Sequence, residues 1–403
     1  MNRQMIRSER AHYMCPNMHF AIRFGLDGAF EPQKIQEALS CLASAHPFLR
    51  ALVSHAPETD DLFYNVTAES KIQYSFYHDE TAMEQAWENI ALSEWNVFEK
   101  GLLMVFSCPM RSGTTFLFAA HHLLTDGKGL LELACTFADC IVEGKKPAYS
   151  EERLIAFMDD LPKGSDLALI SRLLVDHAGK QWRRENQTVP YAQYLQFEAS
   201  YGQAHRIEYQ CDGMDARALC ALRECCHAAK VSVNDWLMAQ IYLKTGTNKI
   251  IMAADIRDDL VCYNRGALGN YSTALGIVCH TKTTDPMEKA KEVHSLVQKA
   301  LANPKSKMLV LACYLRMEPT LLDAAAISAL GGFESKAARF VGGGMFGFAK
   351  PMAYSLTNLG TVENQHMTFA EFIPPASPAT HATVGILTLN GVMKAVTSVR
   401  ASS

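Results

Sequence analysis

His121, His122, Asp126 and Gly127 are the residues of this chain whose types and spacing best suit chemistry. Two adjacent histidines are followed by a carboxylate four residues after the second, and then by a glycine. An imidazole has an ordinary pKa of about 6.5, so near neutral pH it can take a proton from a hydroxyl or an amine and return it. The same residue types also ligate metals, which is the other chemistry this set admits. At average residue usage, four such fixed positions arise by chance in about one chain in a thousand of this length.

The neighbouring residues say how the set would be held. Thr114–Ala120 is an apolar run of strand character, and Leu130, Leu133, Ala134, Phe137 and Ile141 form a helical stripe over 129–141. The histidines therefore stand at a strand end, in a loop that leads into a helix, where functional side chains tend to gather. Asp126 suits the N-cap of that helix, and Gly127 suits a tight backbone turn. The helix N-terminus disfavours a positive imidazole, which keeps His122 neutral at pH 7. A metal centre fits less well. His121 and His122 point apart in an extended strand, and no third ligand stands at a usual spacing, so no metal is expected.

Other elements follow from periodicity. Phe20, Ile22, Phe24 and Leu26 alternate in a half-buried strand over 17–26, and Ile35, Ala38, Leu39 and Leu42 follow at helical spacing. That helix ends before His46-Pro47-Phe48-Leu49-Arg50, because proline disfavours helix in the residue before it. Segment 71–107 reads as strand, helix, strand. Residues 143–203 change character: a loop, a charged helical stretch over 167–177, then a polar connection. Beyond them come a strand from 205, helices over 215–229 and from 231 (capped by Ser232 or Asn234), a strand over 250–257, and a helix over 285–301. Strands close the chain at 351–360, 383–389 and 393–399, the last two joined by the hairpin signal Asn390-Gly391. Val341–Phe348 is glycine-rich without a following Gly-Lys-Ser/Thr; it is no P-loop and reads as a mobile loop or a tight helix contact.

Composition limits the function classes. A chain of 403 residues, 49% hydrophobic, has room for about two domains with sizeable cores. A net charge of −4 with no basic stripe argues against nucleic-acid binding. The twelve cysteines include no CxxC pair and mostly sit in apolar contexts, as buried thiols of a reducing compartment do. The charged stretch Met1–Arg7 precedes no apolar segment, and no uncharged run is long enough to span a bilayer. A cytoplasmic location is the expectation.

The HHxxxDG spacing of residues 121–127 resembles the active-site signature of the coenzyme A-dependent acyltransferase superfamily. That group includes chloramphenicol acetyltransferase, condensation domains of peptide synthetases, alcohol acetyltransferases and plant BAHD acyltransferases. Weaker points of likeness lie at 46–50, 231–239, 255–257, 268–270 and 355–360; the plant DFGWG segment is absent. The resemblance implies an α/β fold of two chloramphenicol acetyltransferase-like domains, each a mixed sheet covered by helices, with a channel between them. The halves would be 1–150 and 205–403, joined by a linker over 151–204. It implies acyl transfer from acyl-CoA or an acyl carrier protein to a small-molecule alcohol or amine. The thioester is a co-substrate, and no resident cofactor is required. His122 would be the general base, His121 and Gly127 structural members of the motif, and Asp126 the partner of Arg257. Asn270, Ser355 and Asn358 would line the substrate channel. No adenylation or carrier domain is visible, which favours a free acceptor. Two other readings stay open: a non-catalytic module that docks a carrier protein, and a metal-dependent hydrolase.

Overall fold

The computed structural model describes residues 3–351 and 353–401. Met1 and Asn2, Met352 (in the strand expected over 351–360), Ser402 and Ser403 lie outside the described residues. The first half contributes strands β1 (Arg3–Ile6), β2 (His19–Asp27), β3 (Ala51–Ala56), β4 (Asp61–Val66), β5 (Gln73–Phe76), β6 (Leu103–Met110) and β7 (Gly113–His121). The second contributes β8 (Ile207–Met214), β9 (Lys249–Asp255), β10 (Ser272–Val278), β11 (Tyr354–Val362), β12 (Met367–Ile373), β13 (Ala382–Leu389) and β14 (Val392–Arg400).

Two large sheets organise the molecule, one of order β12-β2-β7-β6-β5 and one of order β10-β9-β11-β13-β14-β8; β1, β4 and β3 form a small third. Both large sheets mix parallel and antiparallel pairs. All nine residues of β7 are buried, as expected of a central strand covered on both faces. Its antiparallel partner β2 sets His19 opposite His121. The helix Gly127–Glu143 buries the predicted stripe and brings Phe137 against Phe24, Phe116 and Phe118 with rings 5.1–6.3 Å apart. Gly144, with φ 71°, ends it.

The second half keeps several expected boundaries for the expected reasons. Asp215, Ser232 and Asp285 each cap a helix with the side chain. Asn390 and Gly391, with φ 48° and 82°, make the turn between β13 and β14. The glycine-rich run is a tight helix contact: a Cβ at Gly342 would collide with the Ala325 carbonyl of the helix Pro319–Ala329.

Two features depart from the sequence reading. The helical stretch expected over 167–177 is present and runs Leu169–Glu185, but where a polar connection was expected after it a second helix stands at Tyr191–Ala204. The first of these is tied to the second half by Arg316 on Asp176 and by the Trp182 indole on Thr320. And β12 leaves the second sheet between β11 and β13 to pair with β2 in the first. The second half thus supplies an edge strand of the first sheet.

Candidate active site

The site begins where β7 ends. After His121 the chain leaves the strand, and four buried residues, Leu123 to Asp126, lead to the helix. The His122 N–H donates to the Met18 carbonyl at 2.8 Å, which fixes the loop to the segment before β2. Tyr64 donates to the Leu123 carbonyl at 2.5 Å and fixes the next residue.

His121 turns into the core. It is 6% exposed, its Nδ1 accepts the Leu123 N–H at 3.2 Å, and its ring meets the edge of Trp95. Burial, with His19 and His122 nearby, pushes its pKa down to about 3, so it stands neutral.

His122 turns the other way, toward the second half. Its Nδ1 lies 2.8 Å from Asn270 Oδ1, and Asn270 Nδ2 donates to the His122 carbonyl at 2.8 Å. An amide oxygen only accepts, so the facing Nδ1 carries the hydrogen and Nε2 keeps its lone pair. Burial lowers the pKa of this imidazole, against the opposing pull of Asp126 and Asn270. A neutral ring of defined tautomer results.

Asp126 holds the loop and spans the halves. Its Oδ1 accepts from the Gly129 N–H at 2.9 Å and from Arg257 at 2.8 Å, and its Oδ2 accepts the Tyr271 N–H at 2.9 Å. Both partners of the Asp126–Arg257 pair are about 95% buried. Burial alone would lower the guanidinium pKa; Asp126 and Asp255 outweigh it and raise it. Asp255 also takes Lys128 at 2.6 Å, so the pair sits in a four-residue network. Arg257 thus pairs both across the halves and locally. Gly127 has a reason other than backbone freedom: a Cβ there would come within 2.8 Å of Leu359 and 3.1 Å of Phe372.

The remaining expected residues divide. Asn270 lines the pocket at His122, but its side chain is engaged with the histidine itself. Ser355 donates to the Ile251 carbonyl within its sheet, and exposed Asn358 contacts Asn234; neither lines that pocket. Sequence reasoning missed His12. Its ring stacks on His122 with centroids 4.2 Å apart and planes 11° apart. The tight turn Ser8–His12 that carries it is too short to show a period.

His122 lines a pocket of about 160 Å³ between the halves, with Ser8 and His12 from one side and Ala253, Asn270, Ser272 and Tyr314 from the other. At the far end of the motif loop, Lys128 and Gly129 border a cleft of about 770 Å³ together with Arg257, Leu268 and Leu359. Among the described residues no group of three or more His, Cys, Asp or Glu is arranged to hold a metal ion. No helix there is long and apolar enough to cross a membrane.

No family model and no curated protein matches this sequence. Solved structures do. The condensation domain of the monacolin K polyketide synthase MokA is 11% identical, with a TM-score of 0.61 over 100% of this chain and 93% of that one. The epimerization domain of the third module of tyrocidine synthetase B gives 13% and 0.60, covering 97% and 87%. SgcC5 from Streptomyces globisporus, solved with a naphthyl ethanediol and sucrose, gives 14% and 0.58, covering 98% and 93%. Together with the two helix-covered mixed sheets and the site between them, these likenesses at nearly full length show that the chain has the two-lobed, chloramphenicol acetyltransferase-like fold of condensation domains.

Proposed function

We propose that this protein is an acyltransferase that moves an acyl group from a thioester donor, acyl-CoA or an acyl carrier protein, to a hydroxyl or amine of a small molecule. The observation that carries the reading is the contact of His122 Nδ1 with Asn270 Oδ1, which assigns the ring hydrogen to Nδ1 and leaves Nε2 as the proton acceptor of a residue that lines a pocket between two lobes. In the reaction, Nε2 takes the proton of the acceptor as its oxygen or nitrogen bonds to the thioester carbonyl carbon. The tetrahedral intermediate then collapses, the C–S bond breaks, and the imidazolium returns the proton to the departing sulfur. Ser272, in the same pocket, offers a hydroxyl to the intermediate's oxyanion. Donor and acceptor held together at His122 supply proximity, and no covalent enzyme intermediate is needed.

Pocket size bears on the substrate. A cavity of about 150 Å³ accommodates benzene, and the pocket at His122 is of about that volume. A short acyl group, or a compact acceptor, is the fit. That SgcC5 was solved with a free diol is in keeping with a free alcohol acceptor here.

The test is a panel of acetyl- to long-chain acyl-CoA against alcohols and amines, with released thiol and acylated product both measured. Acceptor-dependent thiol release that falls off with chain length supports the reading. If no pair reacts, and acyl groups loaded on a carrier protein do not react either, the non-catalytic docking module replaces it.

A further inference from the structure

The motif supplies His121, His122, Asp126 and Gly127, and the second half supplies Asn270 and Arg257. Neither source accounts for the turn Ser8–His12. It is a helix of three residues per turn, so residues three apart eclipse, and Glu9 and His12 share a face. His12 lies flat on the His122 ring, while Phe20 meets that ring at 62° with centroids 4.9 Å apart. His12 Nδ1 is buried without a hydrogen-bond partner. Glu9 is 1% exposed, with one carboxylate oxygen on the Ser8 hydroxyl at 2.9 Å and the other unpartnered.

Buried polar atoms without partners cost stability, and a turn that carries two of them needs firm support. The support is present. The Ser8 hydroxyl shares its one hydrogen between Glu9 and the Ile155 carbonyl, 3.0 Å away, and Arg10 grips both oxygens of Asp323 at 2.7 Å. Arg7 donates to the Met317 carbonyl at 3.0 Å. The turn is thus clamped from the linker and from the second half, with its polar face toward His122 and Asn270.

We infer that His12 is a positioning residue of the active site, which covers one face of the His122 ring, fixes its plane and keeps water off it. Glu9 supports the arrangement from below, next to Asn270. The titratable and charged groups around His122 are His121 and Asp126 from its own loop, Arg257 paired with that aspartate, His12 from the turn, Tyr314 in the shared pocket, and Glu9 behind Asn270. Asn270, from the second half, is uncharged. Burial is the largest influence that lowers the pKa of His122, and His12 provides part of that cover. Opening the face raises His122 toward its ordinary value; a different flat ring in the same place does not.

The kinetic part rests on the acyl-transfer reading; the spectroscopic part does not. Nitrogen-15 spectra of the imidazoles are recorded against pH for the whole protein, for His12→Ala and for His12→Phe, with His122→Gln to assign the resonance. The expected result is a His122 midpoint that moves up in His12→Ala and stays low in His12→Phe. An unmoved midpoint in a folded His12→Ala overturns the inference, as does an equal rise in both variants. Where the enzyme turns over, His12→Ala lowers kcat at least tenfold with KM little changed, and His12→Phe recovers most of the loss. In the His122→Gln background His12→Ala adds nothing. A further full loss there would mean that His12 acts independently of His122. If the protein shows no turnover at all, the acyl-transfer reading fails while the midpoints still decide the role of His12.

Discussion

At the scale of single residues, the site depends on burial acting differently on imidazoles and carboxylates. His121, His122 and His12 are kept neutral because burial penalises their charged forms. Burial raises Glu9 for the same reason, up to about 7, against the weaker pull of the nearby Glu9 and Asn270 N–H dipoles and of the Ser8 hydroxyl. A carboxyl raised on folding binds its proton more tightly in the folded state. Its contribution is therefore favourable at low pH, falls as pH rises from 4.5 to about 7, and is flat above. Glu9→Gln removes that dependence. Relative to the native chain, the variant gains about 3 kcal/mol in urea unfolding between pH 4.5 and 8. No gain over that range would mean that Glu9 is already ionised without strain. His122 and Asp126 were legible in the sequence because their spacing is rare and their setting clear. Asn270 was legible only as a channel residue, since a contact across 148 positions leaves no local pattern. His12 carried no signal, because a five-residue turn shows no periodicity.

At the scale of elements, the strand–loop–helix unit formed by β7 and the helix Gly127–Glu143 was readable from an apolar run and a helical stripe. What the helix packs against was not. Its first residue, Gly127, meets Leu359 of β11 and Phe372 of β12, both from the second half. Gly127→Ala places a methyl group within 2.8 Å of the end of Leu359, which can shift, and 3.1 Å from Phe372, which is buried and less free. Overpacking of this kind costs about 1–3 kcal/mol. Leu359→Ala on its own also destabilises, but added to Gly127→Ala it restores part of the loss. The check is a double-mutant cycle by thermal unfolding; strictly additive losses would mean that the two residues do not meet. The exchange of β12 was equally hidden. Met367–Ile373 is a short segment with Thr368 and Glu371 among its apolar residues, and the strand it joins, β2, lies more than three hundred residues back along the chain.

At the scale of the whole molecule, the halves are coupled by β12, by Asp126–Arg257 and by Arg10–Asp323. Removing one partner of a buried pair leaves the other uncompensated, so neither half easily keeps its site alone. Calorimetry is expected to show one cooperative transition, and two separated transitions would refute that coupling. The pH dependence of the transition follows from the buried groups. His12, His19, His121 and His122 have lowered pKa values in the folded chain, so their contribution is present above pH 6.5 and lost as the pH falls. Glu9 and Glu198, both raised to about 7, act in the opposite sense over the same range. Glu132, Glu152 and Asp323 are raised by burial as well and act with them. Replacing both Glu9 and Glu198 by Gln removes part of the opposing set, so the transition temperature of that variant rises more steeply between pH 4.5 and 6.5 than that of the native chain; an unchanged slope would show that these two carboxyls are not raised. The two-lobed architecture itself was legible through resemblance, because the motif and the order of elements reach nearly the full length. The interlock that makes it one unit was not.

The central claim is that His122 Nε2 is the base of an acyl transfer, and the most direct measurement is acceptor-dependent thiol release by the native protein beside His122→Ala. The account predicts a rate lowered by about 10²–10⁴-fold in a variant that keeps the native fold by circular dichroism. Release by folded His122→Ala at the native rate would contradict it.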